Sequence, residues 1–266
     1  TDNFARQLAQ HCTYTELKTA HTHGAIGCKR LNDISLSSVA KKVEQLAEAE
    51  FDLYAKNDSG RNMLDRQNMP YPIGKNISII FTQYSVNMDD GYRFTSTGAA
   101  GYAGMVSTLP LDQSSTNQPI AVTVNQYQFA LNNYQLTRLT SKGIVTLKQS
   151  FSKGIVVTDG ITMAPVDSVF RRLSVSRIIG AVEDLIRQAA EPFIGKQNHA
   201  ANRNSLQTAI KSNLDKIKGR LIEAYEFNMI VDPKVMKFSY INIDYKIVPI
   251  YEIREVRNRI SVKDQL

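Results

Sequence analysis

Cysteine is scarce. The 266 residues hold two, Cys12 and Cys28, sixteen positions apart and in no CxxC arrangement. Two thiols cannot staple a chain of this size, so they read as buried free cysteines of a reducing compartment such as the bacterial cytoplasm. Long apolar runs are also missing. None approaches the ~20 residues that span a bilayer, and no basic-then-apolar leader opens the sequence, which excludes a membrane span and a secretion signal for the chain as it stands. Motifs that carry chemistry are missing too: there is no HExxH, EF-hand loop, GxSxG or GxxxxGK[ST]. Gly74-Lys75 and Gly195-Lys196 lack both the upstream glycine and the following Ser or Thr of a phosphate loop.

What is present is a globular composition, 42% hydrophobic and 21% charged, long enough to bury most of its apolar surface. Lys plus Arg exceeds Asp plus Glu by 32 to 25, and the excess is uneven. Residues 1–159 carry 15 basic and 13 acidic groups, and residues 160–266 carry 17 and 12. An acidic partner is therefore expected at the C-terminal part. A basic nucleic-acid-binding protein is the alternative function this charge suggests. No helix-turn-helix or RNA-binding pattern accompanies it, and no aromatic residues interleave with the basic ones.

Hydrophobic spacing divides the chain near residue 160. Before it, 1–11 reads as a short helix, and Tyr14 to Lys29 as two short strands around a His21–Gly24 turn. Ser35 to Ala49 reads as an amphipathic helix on Leu36, Val39, Val43 and Leu46. Asn76 to Val86 is rich in β-branched and aromatic residues and reads as one core strand. The small-residue run Gly98 to Gly104 favours close backbone packing over a nucleotide turn, because its spacing is not GxGxxG. Pro110 to Pro119 reads as a loop, Asn132 to Ser141 as a helix ended by Gly143, and Ile144–Leu147 with Ile155–Thr158 as two strands. After residue 160, Ser174 to Ala190 and Ser205 to Tyr225 read as helices, the second capped by Asn202 or Asn204. Strands are expected at 227–231 and 238–248, the latter with Ile241, Ile243, Tyr245 and Ile247 in period two. A last extended segment runs over 251–262. The predicted fold class is mixed α/β and α+β in two domains: an α/β domain at 1–160 and an ααβββ domain at 161–266.

Candidate reactive groups are few. His21 and His23 form an HxH pair without an obvious third ligand, so solvated turn histidines outweigh a metal site. Adjacent carboxylates such as Glu183-Asp184 point about 100° apart on a helix and make no acid–base dyad by themselves. Arg171, Arg172, Arg203, Lys211, Lys216, Lys218 and Arg220 could form a basic face, with Lys211 and Lys218 on one side of the second helix. No catalytic, cofactor-binding or metal residue is assigned, no cofactor is expected, and an enzyme with a scattered site has no positive feature in its favour.

Several long strings resemble a known family. GIVVTDGITM (154–163), RLSVSRI (172–178), EPFIGKQN (191–198) and VPIYEI (248–253) are similar to the tail sheath proteins of contractile phages and R-type bacteriocins. FDLYAKN (51–57), NMPYPIGKNISIIF (68–81) and GAAGYAGMVSTLPLDQSS (98–115) resemble the Gram-positive phage branch of that family. The resemblance covers nearly the whole chain. It implies a structural subunit, not an enzyme, that stacks in rings around a tail tube and contracts to drive the tube through a cell envelope. Its place would be a virion tail or bacteriocin particle assembled in the host cytoplasm. Implied partners are other sheath subunits through strand exchange, the tail tube protein, and the baseplate and tail terminator proteins, with no small-molecule substrate. The inter-subunit strand arm would map to 251–262, with Tyr251, Ile253, Val256, Ile260 and Val262 as its apolar residues. The tube-facing basic groups would be Arg203, Lys211, Lys218 and Arg220. The family's N-terminal linker strand and outer domain have no counterpart before Thr1, which predicts that the chain is a fragment.

Overall fold

The computed structural model describes residues 2–18, 21–57, 59, 61–64, 68–87, 90–120, 126–127, 129–230 and 241–254. Its centre is a four-stranded sheet built from β1 (Gly24–Gly27), β2 (Ile77–Phe81), β6 (Ile144–Ser150) and β7 (Gly154–Val157), in the order β1-β2-β6-β7. The first three strands run parallel, and β7 returns antiparallel beside β6. All five residues of β2 are buried, as a strand covered on both faces requires. Alternation sends Ile77, Ile79 and Phe81 to one apolar cluster with α1 (Asp2–Lys18), α2 (Leu36–Glu48) and α4 (Asn133–Lys142). It sends Ile80 to a second cluster with Val145, Leu147 and Val157, which is closed by Tyr102 and Met105 of α3 (Ala99–Thr108). A small sheet in the order β4-β3-β5 flanks this body, with β3 at Tyr84–Asn87, β4 at Arg93–Ser96 and β5 at Gln126–Tyr127.

The helix ends follow local chemistry. Ser35 caps α2 by accepting from Ser38 N at 3.4 Å, and Asp33 accepts from the Ser35 amide and hydroxyl, each at 2.9 Å. Asn132 and Gln135 form a reciprocal capping box at the start of α4. Gly143 ends that helix with φ +99°, a conformation L side chains resist, and a Cβ there would lie 2.5 Å from the Arg171 guanidinium. That guanidinium donates to the carbonyls of Thr140 and Ser141 at the helix end, and to Ala164 O.

A third apolar cluster belongs to α5 (Leu173–Ala190), α6 (Ala200–Ile217) and the antiparallel pair β8 (Ile222–Ile230) and β9 (Asn242–Pro249). Ile178, Val182 and Ile186 of α5 meet Leu206, Ile210 and Leu214 of α6. Tyr225, Phe227 and Met229 of β8 and Ile243, Tyr245 and Ile247 of β9 lie over them.

The structure corrects several expectations. The first helix runs to Lys18, so Tyr14 lies in it, and only one strand follows. Its buried stripe is Ala5, Ala9, Cys12, Thr13 and Glu16, helical in spacing but short or polar in character. The stretch from Asn76 to Val86 splits into β2 and β3, which belong to different sheets. The break falls at Thr82-Gln83, where the Gln83 amide accepts from Leu31 N at 2.9 Å and donates to Leu31 O at 3.0 Å, as a strand neighbour would. The second C-terminal helix starts at Ala200, capped by His199, and stops at Ile217. Lys218 is extended and Gly219 turns with φ +80°, so Tyr225 lies on β8. Among the described residues the C-terminal order is ααββ, and residues 231–240 and 255–266 lie outside them.

Candidate assembly surface

The β8–β9 pair has the features of an unfinished sheet. Among the described residues it is a sheet of two strands, and the one further bridge is from Lys218 to Ile222 at the start of β8. Two strands alone are marginal in water. This pair is held from below by α5 and α6, and Tyr225 Oη donates to Asp215 Oδ1 of α6 at 2.6 Å. That bond and burial push the Tyr225 phenol up to about 12. The upper face shows Glu226, Asn228, Asn242, Asp244 and Lys246 to solvent.

The chain leaves β9 at Pro249 and runs on without regular structure to Arg254. Ile250 N donates to Leu221 O at 3.0 Å. Tyr251 is 54% exposed and Ile253 85%. Glu252 and Arg254, which alternate with them, turn back onto the body. Val256, Ile260 and Val262, the other predicted arm residues, lie outside the described residues.

The basic residues do not form one helix face. Arg203 sits in the first turn of α6 and donates to Asn198 O at 2.8 Å, while Lys211 is exposed at mid-helix. Lys218 and Arg220 are exposed but lie beyond the helix, and Lys218 stands more than about 20 Å from Arg203 at 1.5 Å per residue. Lys216, Lys218 and Arg220 lie toward the C-terminal end of α6, where Lys216 Nζ donates to Asn213 Oδ1. Arg171 and Arg172 are removed from any basic face. Arg171 caps α4, and Arg172 lies 3.3 Å from Asp159 Oδ1.

The two histidines are packed, not solvated. His21 Nδ1 lies 3.3 Å from Glu16 Oε1, and its ring covers Gly180 of α5. His23 Nε2 is 2.9 Å from Ser78 Oγ. Ser78 gives its own hydrogen to Ile161 O at 2.7 Å, so His23 Nε2 must donate and Nδ1 is the bare nitrogen. Burial, with His21 and Arg177 nearby, pushes His23 down to about 3, which keeps the ring neutral. Glu16 also takes Lys75 Nζ at 3.2 Å and Asn76 Nδ2 at 2.7 Å, and Arg187 of α5 donates to its carbonyl at 2.6 Å. This polar core ties α1 to α5, and sequence reading missed it because its members are 59 to 171 positions apart. The described residues hold no group of three or more side chains suited to a metal ion, and no helix among them is long and apolar enough to cross a membrane.

No family model matches the chain, and no curated protein does. Solved structures do. The contracted helical sheath of the anti-feeding prophage matches 78% of this chain and 60% of its own, with TM-score 0.60 and 16% identity. The contracted sheath complex of an extracellular contractile injection system, PVC, matches 90% of this chain and 63% of its own, with TM-score 0.62 and 11% identity. The chain has the sheath-protein fold. The sheath tail protein of Listeria innocua carries the same fold over 84% of this chain and 52% of its own, with TM-score 0.52 and 15% identity. The chain therefore spans roughly half to two thirds of the length of the sheath proteins it matches. At these identities the shared property is the backbone arrangement, and the mixed helix-and-sheet class expected from the sequence holds.

Proposed function

We propose that the chain is part of a contractile tail-sheath subunit, a structural protein that polymerises around a tail tube and contracts to drive it through a cell envelope. The observation that carries this reading is the β8–β9 sheet, two strands among the described residues, seated on α5 and α6 within a sheath fold. Such a sheet is completed by strands from other copies. Main-chain hydrogen bonds give the affinity, and alternate side chains give the register. The segment from Tyr251 to Val262 is the strand each subunit lends. The subunit comprises an α/β domain at 1–160 and a C-terminal domain at 161–266, and the latter faces the tube. Repeated head-to-tail contacts that do not close on themselves build a helical tube. The work of contraction comes from a small free-energy difference between two packings, multiplied over many copies, so no nucleotide site is needed.

Lys211, Lys218 and Arg220 meet an acidic tube surface in this reading, with Arg203 serving the first turn of α6. Baseplate and terminator proteins close the two ends of the lattice, and the particle is a phage tail or a bacteriocin assembled in the bacterial cytoplasm. Deleting residues 251–266 tests the reading. The truncated protein should keep the thermal transition of the body and form no sheath by negative-stain microscopy. Normal tubes from truncated subunits would disprove strand lending.

A further inference from the structure

Asp159 follows β7 directly and is 3% exposed. A buried carboxylate needs partners, and this one has three. Thr116 Oγ1 donates to Oδ1 at 3.3 Å, Arg172 Nη1 lies at the same distance from the same oxygen, and Arg254 Nη2 pairs with Oδ2. Arg172 also reaches Glu252 Oε1 at 3.6 Å, so one guanidinium joins both acids. Ser174 donates to Glu252 Oε2 at 2.5 Å, and Ser114 Oγ is 3.5 Å from Oε1. Glu252 thereby brings a carboxylate to the first turn of α5. The helix dipole favours an anion there, and the N-cap residue Arg172 makes no side-chain cap bond.

Three separate parts of the body, the 114–116 loop, the end of β7 and the start of α5, thus grip two alternate residues of one short segment. Tyr251, just before the gripped pair, and Ile253, between its members, are the exposed ones. Glu252 and Arg254 are held to the body while Tyr251 and Ile253 face solvent, so the two anchors set which way the apolar pair points.

We propose that Asp159, Arg172, Glu252 and Arg254 are positioning residues, a latch that fixes the root of the terminal segment to its own subunit. Tyr251 and Ile253 are then presented to a second copy of the chain. The partner needs no search over arm directions, because the ordering cost is met before assembly. This rests on the strand-lending reading above.

The test is the double variant Glu252→Gln with Arg254→Gln, which removes both charges and leaves the body's own residues intact. Hydrogen exchange of the 250–254 peptide in the unassembled protein should speed up about tenfold or more, the scale on which local opening responds to lost contacts. Arg254→Lys should stay near wild type. Sheath assembly by the double variant should fall, with arms engaged in irregular registers. Unchanged exchange overturns the latch. Faster exchange with undiminished, regular assembly overturns its positioning role. Normal assembly after deletion of 251–266 overturns strand lending itself, and with it the role given to the latch, so the two failures are separable. Should the double variant fold poorly, Arg254→Gln alone decides, since that side chain is 44% exposed and Arg172 stays paired with the buried Asp159.

Discussion

Glu16→Gln tests how the N-terminal helix is held. Glu16 lies on α1 with its side chain 6% exposed, and it takes donors from Lys75 and Asn76 with His21 beside it. Burial alone would raise the Glu16 carboxyl. The hydrogen bond with His21, the charge of Lys75 and the bond from Asn76 outweigh burial and bring it down to about 2 from an ordinary 4.5. A shift of that size is worth about 3 kcal/mol of folding stability. The sign follows from linkage: a depressed folded-state value gives stability present above the unfolded value, and it is lost as pH falls from 4.5 toward 2. Gln keeps the shape and one acceptor but leaves Lys75 buried without its carboxylate. Urea unfolding at pH 7 should therefore show a loss of roughly 3 kcal/mol, with the larger penalty of an unpaired buried charge as the upper bound. The wild type should lose this advantage between pH 4.5 and pH 2, and the two proteins should converge there. Equal stability at pH 7, or a gap that persists unchanged in acid, would refute the ion-pair account of this core.

Two further perturbations follow from close approaches and charge. A Cβ at Gly180 would sit 2.2 Å from the His21 ring, so Gly180→Ala should push the His21 segment before β1 away from α5 and cost about 1–3 kcal/mol in urea unfolding, as overpacking does. A change below a few tenths would show that His21 moves off α5 freely. Lys211→Glu with Lys218→Glu touches only exposed groups and should leave stability within about 0.5 kcal/mol. It should nonetheless weaken attachment to the tube, most at low ionic strength where exposed charges are least screened. Normal co-sedimentation with tubes would discredit that surface.

The sequence disclosed elements whose signals are local. Val39, Val43 and Leu46 gave α2, Gly143 gave the end of α4, and the alternation of Ile243, Tyr245 and Ile247 gave β9. It failed where a tertiary partner decides. The stripe of α1 uses Ala5, Ala9, Cys12, Thr13 and Glu16, and nothing apolar marks its later turns until Lys75 and Asn76 are beside Glu16. The break between β2 and β3 depends on a side-chain bond from Gln83 to Leu31, 52 positions away. At the C-terminus, Leu221 and Tyr225 extend the helical spacing of α6, and only the turn at Gly219 reveals that a strand begins. The candidate surface was half legible. Tyr251 and Ile253 stand out as alternate apolar residues, but the anchoring of Arg254 to Asp159 spans 95 positions and has no sequence signature.

Electron microscopy of the gene product that carries this chain, produced together with its tube protein, tests the central claim most directly. The sheath account predicts tubes of stacked rings around the inner tube, in which the β8–β9 sheet of each subunit gains strands from its neighbours. Dispersed particles with no lattice, or tubes in which the β8–β9 sheet gains no strand from a neighbour, would contradict it.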